Sequence, residues 1–361
     1  MAHVRPLVEG DIPAVAALHA TVFGGGGGRD PQTLRAHLTE VFCRHPWHDG
    51  KFPSLAYEAA GGEIVGVLGV MRRPMSLNGR PIQVAISHDF MVDPRSRSTL
   101  AAMELLRVFL AGSQDLSLAD GTASSRKIWE AFGGTTSLLH SIRWTRALRP
   151  SRCVVDVMRK RGLPAAMAVA ARPWCAVLDA VAARSSWTPF HQPVPRASRE
   201  DVTAERLLAC LSDFSLNRSL RPEYDERSVQ WLLEILGRWR SSGSFRKVLV
   251  RDVRGDVLGW YLYYLRPGGV GEVVQIGATH DSIGEVLAHL FFDAWRRGAL
   301  AVSGQLDPAF MEALSEQHCL FDSGAFWTLL NSNDFEVLEA IYRGDAFLTR
   351  LEGEGWIRLA C

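Results

Sequence analysis

The chain has 361 residues, 47% of them apolar and 22% charged, a globular balance with material for two buried cores. Its 40 Lys and Arg stand against 39 Asp and Glu, so no net field draws the whole chain to nucleic acid or to a membrane, and any anion site must be local. Six scattered cysteines include no Cys-x-x-Cys pair, which excludes a zinc ribbon and a dithiol redox motif and suits reduced thiols in a cytoplasmic protein.

A short strand is predicted over 4–8. Asp11 then takes an N-cap position with Pro13 in the first turn, and Val15, Leu18, Val22 and Phe23 follow at helical spacing. Five glycines, 24–28, end that helix, and a second is expected over 31–43. His45, His48 and Asp49 are metal-capable, but without a further ligand they do not make a metal site. Strands are predicted over 54–58, 63–72 and 82–92. The last two are joined through Asn78-Gly79, the strongest short-range hairpin signal. A buried helix over 98–111, a strand over 116–119, a helix over 124–132 and a strand over 138–148 close this first unit.

Residues 151–186 read as helices rich in Ala and Arg. Within them the longest apolar stretch, 163–183, is interrupted by Arg172, Pro173 and Asp179, so no membrane span is expected. A proline-rich passage over 187–195 leads to a second unit, with helices over 198–214 and 226–239 and strands over 247–252 and 257–266. Residues 62–74 (GEIVGVLGVMRRP) can be laid over 255–267 (GDVLGWYLYYLRP), each preceded by a strand and followed by a turn and another strand. This is one repeat of domain size rather than a solenoid. The expected division is 1–150, a helical linker over 151–189, and 190–361.

The order strand, two helices, three strands, helix, strand, helix, strand in the first unit resembles the GNAT acyltransferase superfamily. Residues 4–15 look like its first strand and helix. The segment from Val92 to Leu106 is similar to its pyrophosphate loop, with Arg97 on the Arg/Gln position, Ala102 on the last small position, and Leu100 where the family prefers Gly. Residues 124–134 resemble the next helix and its closing glycine, with Trp129 where Tyr is usual. The resemblance implies an α/β (α+β) fold of two tandem GNAT-like domains, each a mixed, mostly antiparallel sheet flanked by helices. It implies acetyl-CoA or another acyl-CoA as a substrate, with no metal.

On that basis Arg95 and Arg97, with the helix-opening amides of Ser98, Thr99, Leu100, Ala101 and Ala102, are the candidates for the diphosphate, because a helix N-terminus offers unpaired N–H groups and partial positive charge. The backbone of Phe90, Met91 and Val92 is the candidate for polarising the thioester, and Ser125 and Trp129 lie on the following helix. Acyl transfer needs a base that works near neutral pH. His88 is the first candidate and Asp89 the second. Neighbouring strand residues face opposite ways, so both reach one site only if a bulge intervenes. An indole cannot act as a proton donor to the leaving thiolate as a tyrosine hydroxyl would. Some tandem relatives use the chain's terminal carboxylate as base, which makes Cys361 a further candidate, on a tail (355–361) that reads as a strand.

The second unit lacks the basic loop: residues 279–285 carry no arginine and place Asp281 where phosphate would lie. Asp281 or Ser282 reads as a helix cap, and one face of the aromatic run Trp260–Tyr264 reads as a possible acceptor-pocket lining. The expected activity is transfer of an acyl group, with acetyl the first expectation, to an amine or hydroxyl of a small-molecule acceptor, by a monomer or homodimer. The alternative is a non-catalytic CoA-sensing or protein-interaction module. A tRNA-dependent peptide-bridge enzyme, also built of two such halves, would need a basic face that the balanced charge does not supply.

Overall fold

A computed structural model of the chain describes residues 2–23, 30–48, 50–95, 99–238 and 243–360. The glycine run 24–28, Arg97, Ser98 and Cys361 lie outside the described residues, as does the side chain of Thr99.

The first part of the chain forms β1 (His3–Pro6), α1 (Ile12–Val22), α2 (Pro31–Cys43), β2 (Leu55–Glu58), β3 (Ile64–Leu77), β4 (Arg80–Val92), α3 (Thr99–Leu110), β5 (Leu116–Gly121), α4 (Ala123–Ala131), β6 (Thr135–Ser137) and β7 (Arg143–Ala147). A helical hairpin follows, α5 (Pro150–Lys160) and α6 (Ala165–Arg184). The remainder gives β8 (Ser198–Asp201), α7 (Ala204–Phe214), β9 (Leu220–Pro222), α8 (Glu226–Arg238), β10 (Ser244–Arg251), β11 (Val257–Leu265), β12 (Val270–Ala278), α9 (Ile283–Arg296), β13 (Ala301–Gln305), α10 (Met311–Glu316), β14 (Leu320–Asp322), β15 (Trp327–Asn331), α11 (Phe335–Tyr342) and α12 (Gly355–Ala360).

The Asn78-Gly79 turn joins β3 to β4, and both residues have positive φ, +51° and +83°, as a tight two-residue hairpin requires. The strands make two mixed sheets. One has the order β1-β2-β3-β4-β5-β15-β6, with β9 alongside β3; the other runs β14-β7-β13-β12-β11-β10-β8. The sheets repeat each other strand for strand, and the internal sequence match falls on β3 and β11, which hold the same place in each. Both are antiparallel to a bulged strand, β4 or β12, that runs parallel to the next, β5 or β13.

The repeat is crossed. The strand predicted over 138–148 as the last of the first unit is β7, which pairs with β13 in the second sheet, whereas the short β6 just before it stays in the first. In exchange β15 returns to the first sheet between β5 and β6. A boundary at residue 150 therefore separates neither sheet from the other's strands.

Two further expectations are corrected. The helix predicted over 198–214 begins as a strand, β8, paired with β10, before α7. The tail is the helix α12, not a strand. Its neighbouring residues Trp356 and Ile357 are both buried, and Glu354 and Arg358 meet across one turn at 3.5 Å, which a strand with alternating faces cannot provide.

The largest core lies between the two sheets. There α1, α2, α7 and α8 meet Trp260, Leu262 and Tyr264 of β11 and Trp356 of α12. Tyr261 and Tyr263, on the other face of β11, are fully buried against α9. Both faces of that aromatic strand are thus core, and neither lines an acceptor pocket. The outer face of the first sheet is covered by α3 and α4.

Candidate active site

The site begins with a bulge. Val67 of β3 pairs with Met91 and Gly69 with His88, so Asp89 and Phe90 together oppose the single Leu68. Asp89 takes up the irregularity with φ +44°, a left-handed conformation uncommon outside glycine. The same stretch marks the end of a ladder. The parallel pairing of β4 with β5 covers only Val84–Ile86 against Leu116–Leu118, and β5 continues to Gly121 against β15. Beyond Ile86, the β5-facing edge of β4 has no strand partner among the described residues.

The bulge resolves the alternation that would have separated His88 from Asp89. His88 Nδ1 lies 3.1 Å from Asp89 Oδ2, both side chains buried. The ring rests on Gly69, where an added Cβ would stand 2.3 Å from it, and meets the Phe42 ring edge-on at 4.8 Å between centroids. Burial pushes the Asp89 carboxyl up, but the His88 hydrogen bond and the imidazoles of His88, His37 and His19 outweigh it and hold the group below its ordinary value. An ionised Asp89 accepts from Nδ1–H and leaves Nε2 as the basic nitrogen. Nε2 is buried and has no hydrogen-bond partner.

The chain's end supplies groups that the sequence reading missed. The Asp120 backbone N–H, near the end of β5, donates to Glu354 at 3.3 Å, across 234 positions of sequence. Arg358 donates to the Asp120 carboxylate at 2.7 Å. Burial, with Asp120 and Asp89 adding to it against Arg358, pushes Glu354 up to about 8. Glu354 lines a small pocket with Leu118, Ala119, Asp120, Gln305 and Thr328. No spacing in the sequence signals this meeting, because a Glu and an Arg four apart on a short helix look like any exposed pair.

Other polar groups end at the same junction without partners. Arg73 is buried, lies 3.8 Å over the Trp47 ring and donates Nη2–H to the Leu351 carbonyl, while its Nε and Nη1 have no hydrogen-bond acceptor. His45 Nδ1 and Trp356 Nε1 are likewise buried and unsatisfied. Burial first, then the neighbouring His88, His48 and Arg73, drives His45 down to about 3, so it is neutral. Buried polar groups without partners call for water or a bound molecule.

The cofactor-side candidates divide. Arg95 is exposed and bonded to Asp93, its Nε 3.3 Å from Oδ1. Leu100 is 58% exposed, Ala101 is fully buried under the first sheet, and Ala102 is half-buried. Met91 is buried, with Phe90 and Val92 half-buried beside the unpaired edge. The Ser125 N–H donates to Thr122 Oγ1, which caps α4. Trp129 requires correction as a cofactor contact: it is core, and its indole N–H donates to the Leu330 carbonyl at 2.8 Å.

The corresponding opening in the second sheet holds a small pocket lined by Val273 to Ile276, Gln305, Asp307 and Arg350. Its charges are already paired. Arg350 binds Glu272 and the Val273 carbonyl, and Asp307 takes Arg218 at 2.8 Å through both oxygens. Ser282 precedes α9, but its hydroxyl donates to the Leu258 carbonyl and makes no side-chain cap.

Compared with known proteins, residues 3–135 match the profile of the acetyltransferase (GNAT) domain family. No curated protein matches significantly. Solved structures share the fold across both sheets. A probable N-acyltransferase from Enterococcus faecalis V583 is 10% identical, with a TM-score of 0.59 and 92% of this chain and 73% of that one covered. A GCN5-related N-acetyltransferase from Kribbella flavida is 14% identical, with a TM-score of 0.56 and coverage of 91% and 70%. Saccharomyces cerevisiae N-myristoyltransferase, solved with myristoyl-CoA and inhibitors, is 8% identical, with a TM-score of 0.53 and coverage of 92% and 80%. At these identities the likeness is one of fold.

Proposed function

We propose that the chain, whose residues 3–135 match the acetyltransferase (GNAT) domain family, transfers an acyl group from acyl-CoA to an amine or hydroxyl of a small-molecule acceptor. The observation that carries this reading is the His88–Asp89 pair, set by a bulge where the β4–β5 ladder stops.

In this reading the thioester lies along the unpaired edge of β4, where a backbone N–H of the Phe90–Val92 stretch polarises its carbonyl. The acceptor approaches from the side that carries His88, Asp89, Asp120 and Glu354, and reacts as the neutral amine or hydroxyl, whose lone pair is free to attack. Nε2 of His88 takes a proton from the acceptor nitrogen as it attacks, and Asp89 stabilises the resulting imidazolium. The tetrahedral intermediate collapses with cleavage of the carbon–sulfur bond. Glu354, protonated at neutral pH, supplies the proton to the departing thiolate. This is the task that Trp129 cannot perform, since its N–H is held by Leu330. Unfilled donors on Arg73 and Trp356 remain for the acceptor's polar atoms.

A panel of acyl-CoAs and amines tests the proposal through melting temperature and free-thiol release. Stabilisation by acyl-CoA together with thiol release on at least one amine supports it. Indifference of the melting temperature to every acyl-CoA and to free CoA sinks it. Stabilisation without thiol release across the panel favours the second reading, a CoA-sensing module, which the buried Trp129 also suits.

A further inference from the structure

The helical hairpin that follows β7 is built inside out. Along α6 the buried positions are Ala168, Cys175, Asp179 and Ala183, small or polar residues at helical spacing. The opposite stripe carries Met167, Trp174, Leu178 and Val181, and Trp174 is 74% exposed. Val154, Val157 and Met158 of α5 are exposed beside it, and Trp187, just past α6, is 95% exposed. A surface helix normally turns its larger apolar side chains inward. Here Asp179 holds the inner face instead, accepting from the Ser151 N–H at 2.8 Å. A contiguous apolar face of this kind marks an interaction surface.

Charge identifies the partner. Residues 150–197 hold seven Lys or Arg and two Asp or Glu, a surplus of five in a chain whose net charge is +1. The near-balance of the whole chain therefore conceals a basic hairpin on an otherwise acidic protein. Arg159, Lys160 and Arg161 cluster at the turn between α5 and α6, and Arg172, Arg184 and Arg196 are exposed along and beyond α6. Asp156 pairs with Arg159 and Lys160, and no ion pair is recorded for Arg161, Arg172 or Arg184 among the described residues. A second copy docking through the same face would set this positive surplus against itself, since a two-fold contact brings each patch onto its own image.

We propose that the α5–α6 hairpin docks the protein on an anionic lipid surface, with the Met167–Trp174–Leu178–Val181 stripe lying in the headgroup boundary and the arginines facing anionic headgroups. Helices combining a Trp- and Leu-bearing face with Arg on the flanks bind in this way, and tryptophan favours that depth. At 20 residues α6 matches a bilayer in length. Its Asp179 and its packing on α5 keep it on the surface rather than across the membrane.

The experiment is co-sedimentation of the full chain with vesicles of phosphatidylcholine alone or mixed with phosphatidylglycerol, at low and high salt. Binding to the mixed vesicles should exceed binding to phosphatidylcholine by roughly tenfold or more and weaken with salt. Trp174→Ser with Leu178→Ser should abolish it. Arg172→Glu with Arg184→Glu should reduce it by at least about tenfold at an unchanged melting temperature, since all four side chains are exposed. No sedimentation with phosphatidylglycerol vesicles overturns the proposal. So does a dimer by light scattering that becomes monomeric in the Trp174/Leu178 variant, because a second copy would then own the face.

Discussion

His88 and Asp89 are consecutive on a strand, yet their side chains meet at 3.1 Å in a buried pair. The left-handed turn at Asp89 and the extra residue opposite Leu68 bring them together. Removing either partner tests whether the pair is chemical or only structural. Asp89→Asn and His88→Gln are each expected to lower kcat by roughly 10²- to 10⁴-fold with acyl-CoA binding retained. Steady-state kinetics, with circular dichroism as a check on folding, gives the answer, and wild-type turnover in both variants would remove them from the reaction.

Gly69 is where the His88 ring lies flat on backbone. A Cβ there would come within 2.3 Å of the imidazole, so Gly69→Ala must displace the ring. A loss of about 1–3 kcal/mol in stability is expected, with a fall in kcat far larger than any change in KM. Denaturant unfolding and kinetics separate the two effects, and an unaffected kcat would mean the ring's position is immaterial.

Glu354 titrates high, at about 8. A carboxyl with a raised folded pKa binds more protons folded than unfolded, so its contribution to stability is complete below about 4.5 and is lost as pH rises through about 8. Glu354→Gln should therefore raise the melting temperature relative to wild type at pH above about 8, and less so at pH near 5. As proton donor to sulfur, Glu354 also predicts that kcat falls above about pH 8, and that Glu354→Gln flattens this limb while slowing turnover. An unaltered pH profile in the variant would exclude the donor role.

His45 behaves in the opposite sense. Its folded pKa is pushed down to about 3 from 6.5, so the unfolded chain binds the proton first and stability drops as pH falls from about 6.5 towards 3. His45→Gln should make the protein less sensitive to acid across that window, measured as the difference in unfolding free energy between pH 7 and pH 5. An equal acid sensitivity in both proteins would contradict the assignment.

Trp356 anchors the terminal helix. It is fully buried, edge-on to Trp231 at 5.8 Å between centroids. Trp356→Ala is expected to cost about 3–5 kcal/mol and to withdraw Glu354 from Asp120 at the same time. Thermal unfolding and thiol-release kinetics should both register the change, and a small effect on either would mean that the tail is held by other contacts.

The parts of this architecture that were legible in the sequence are local. Asn78-Gly79 dictates its hairpin because both residues tolerate positive φ, and the match of 62–74 to 255–267 exposes the duplication because turn glycines and apolar strands recur in the same order. The strand exchange was not legible. The alternation of Arg143-Trp144-Thr145-Arg146-Ala147 suits either sheet, and pairing between distant segments leaves no mark on a single strand. The same limit hid Glu354, whose unusual titration arises from burial against residues more than 200 positions away. The helix that carries Trp129 is legible locally, but the burial of its indole depends on β15, which arrives from the far end of the chain.

The crossed strands make the two halves one object. Until the ribosome has delivered residues 327–331, the edge of β5 that bears Asp120 lacks its neighbour, and β7 waits on β13, a strand made long after it. The proposed site can therefore be completed only when nearly the whole polypeptide has emerged. Neither half is a severable module, and truncation at the α5–α6 hairpin should give two insoluble fragments that regain solubility only when co-expressed.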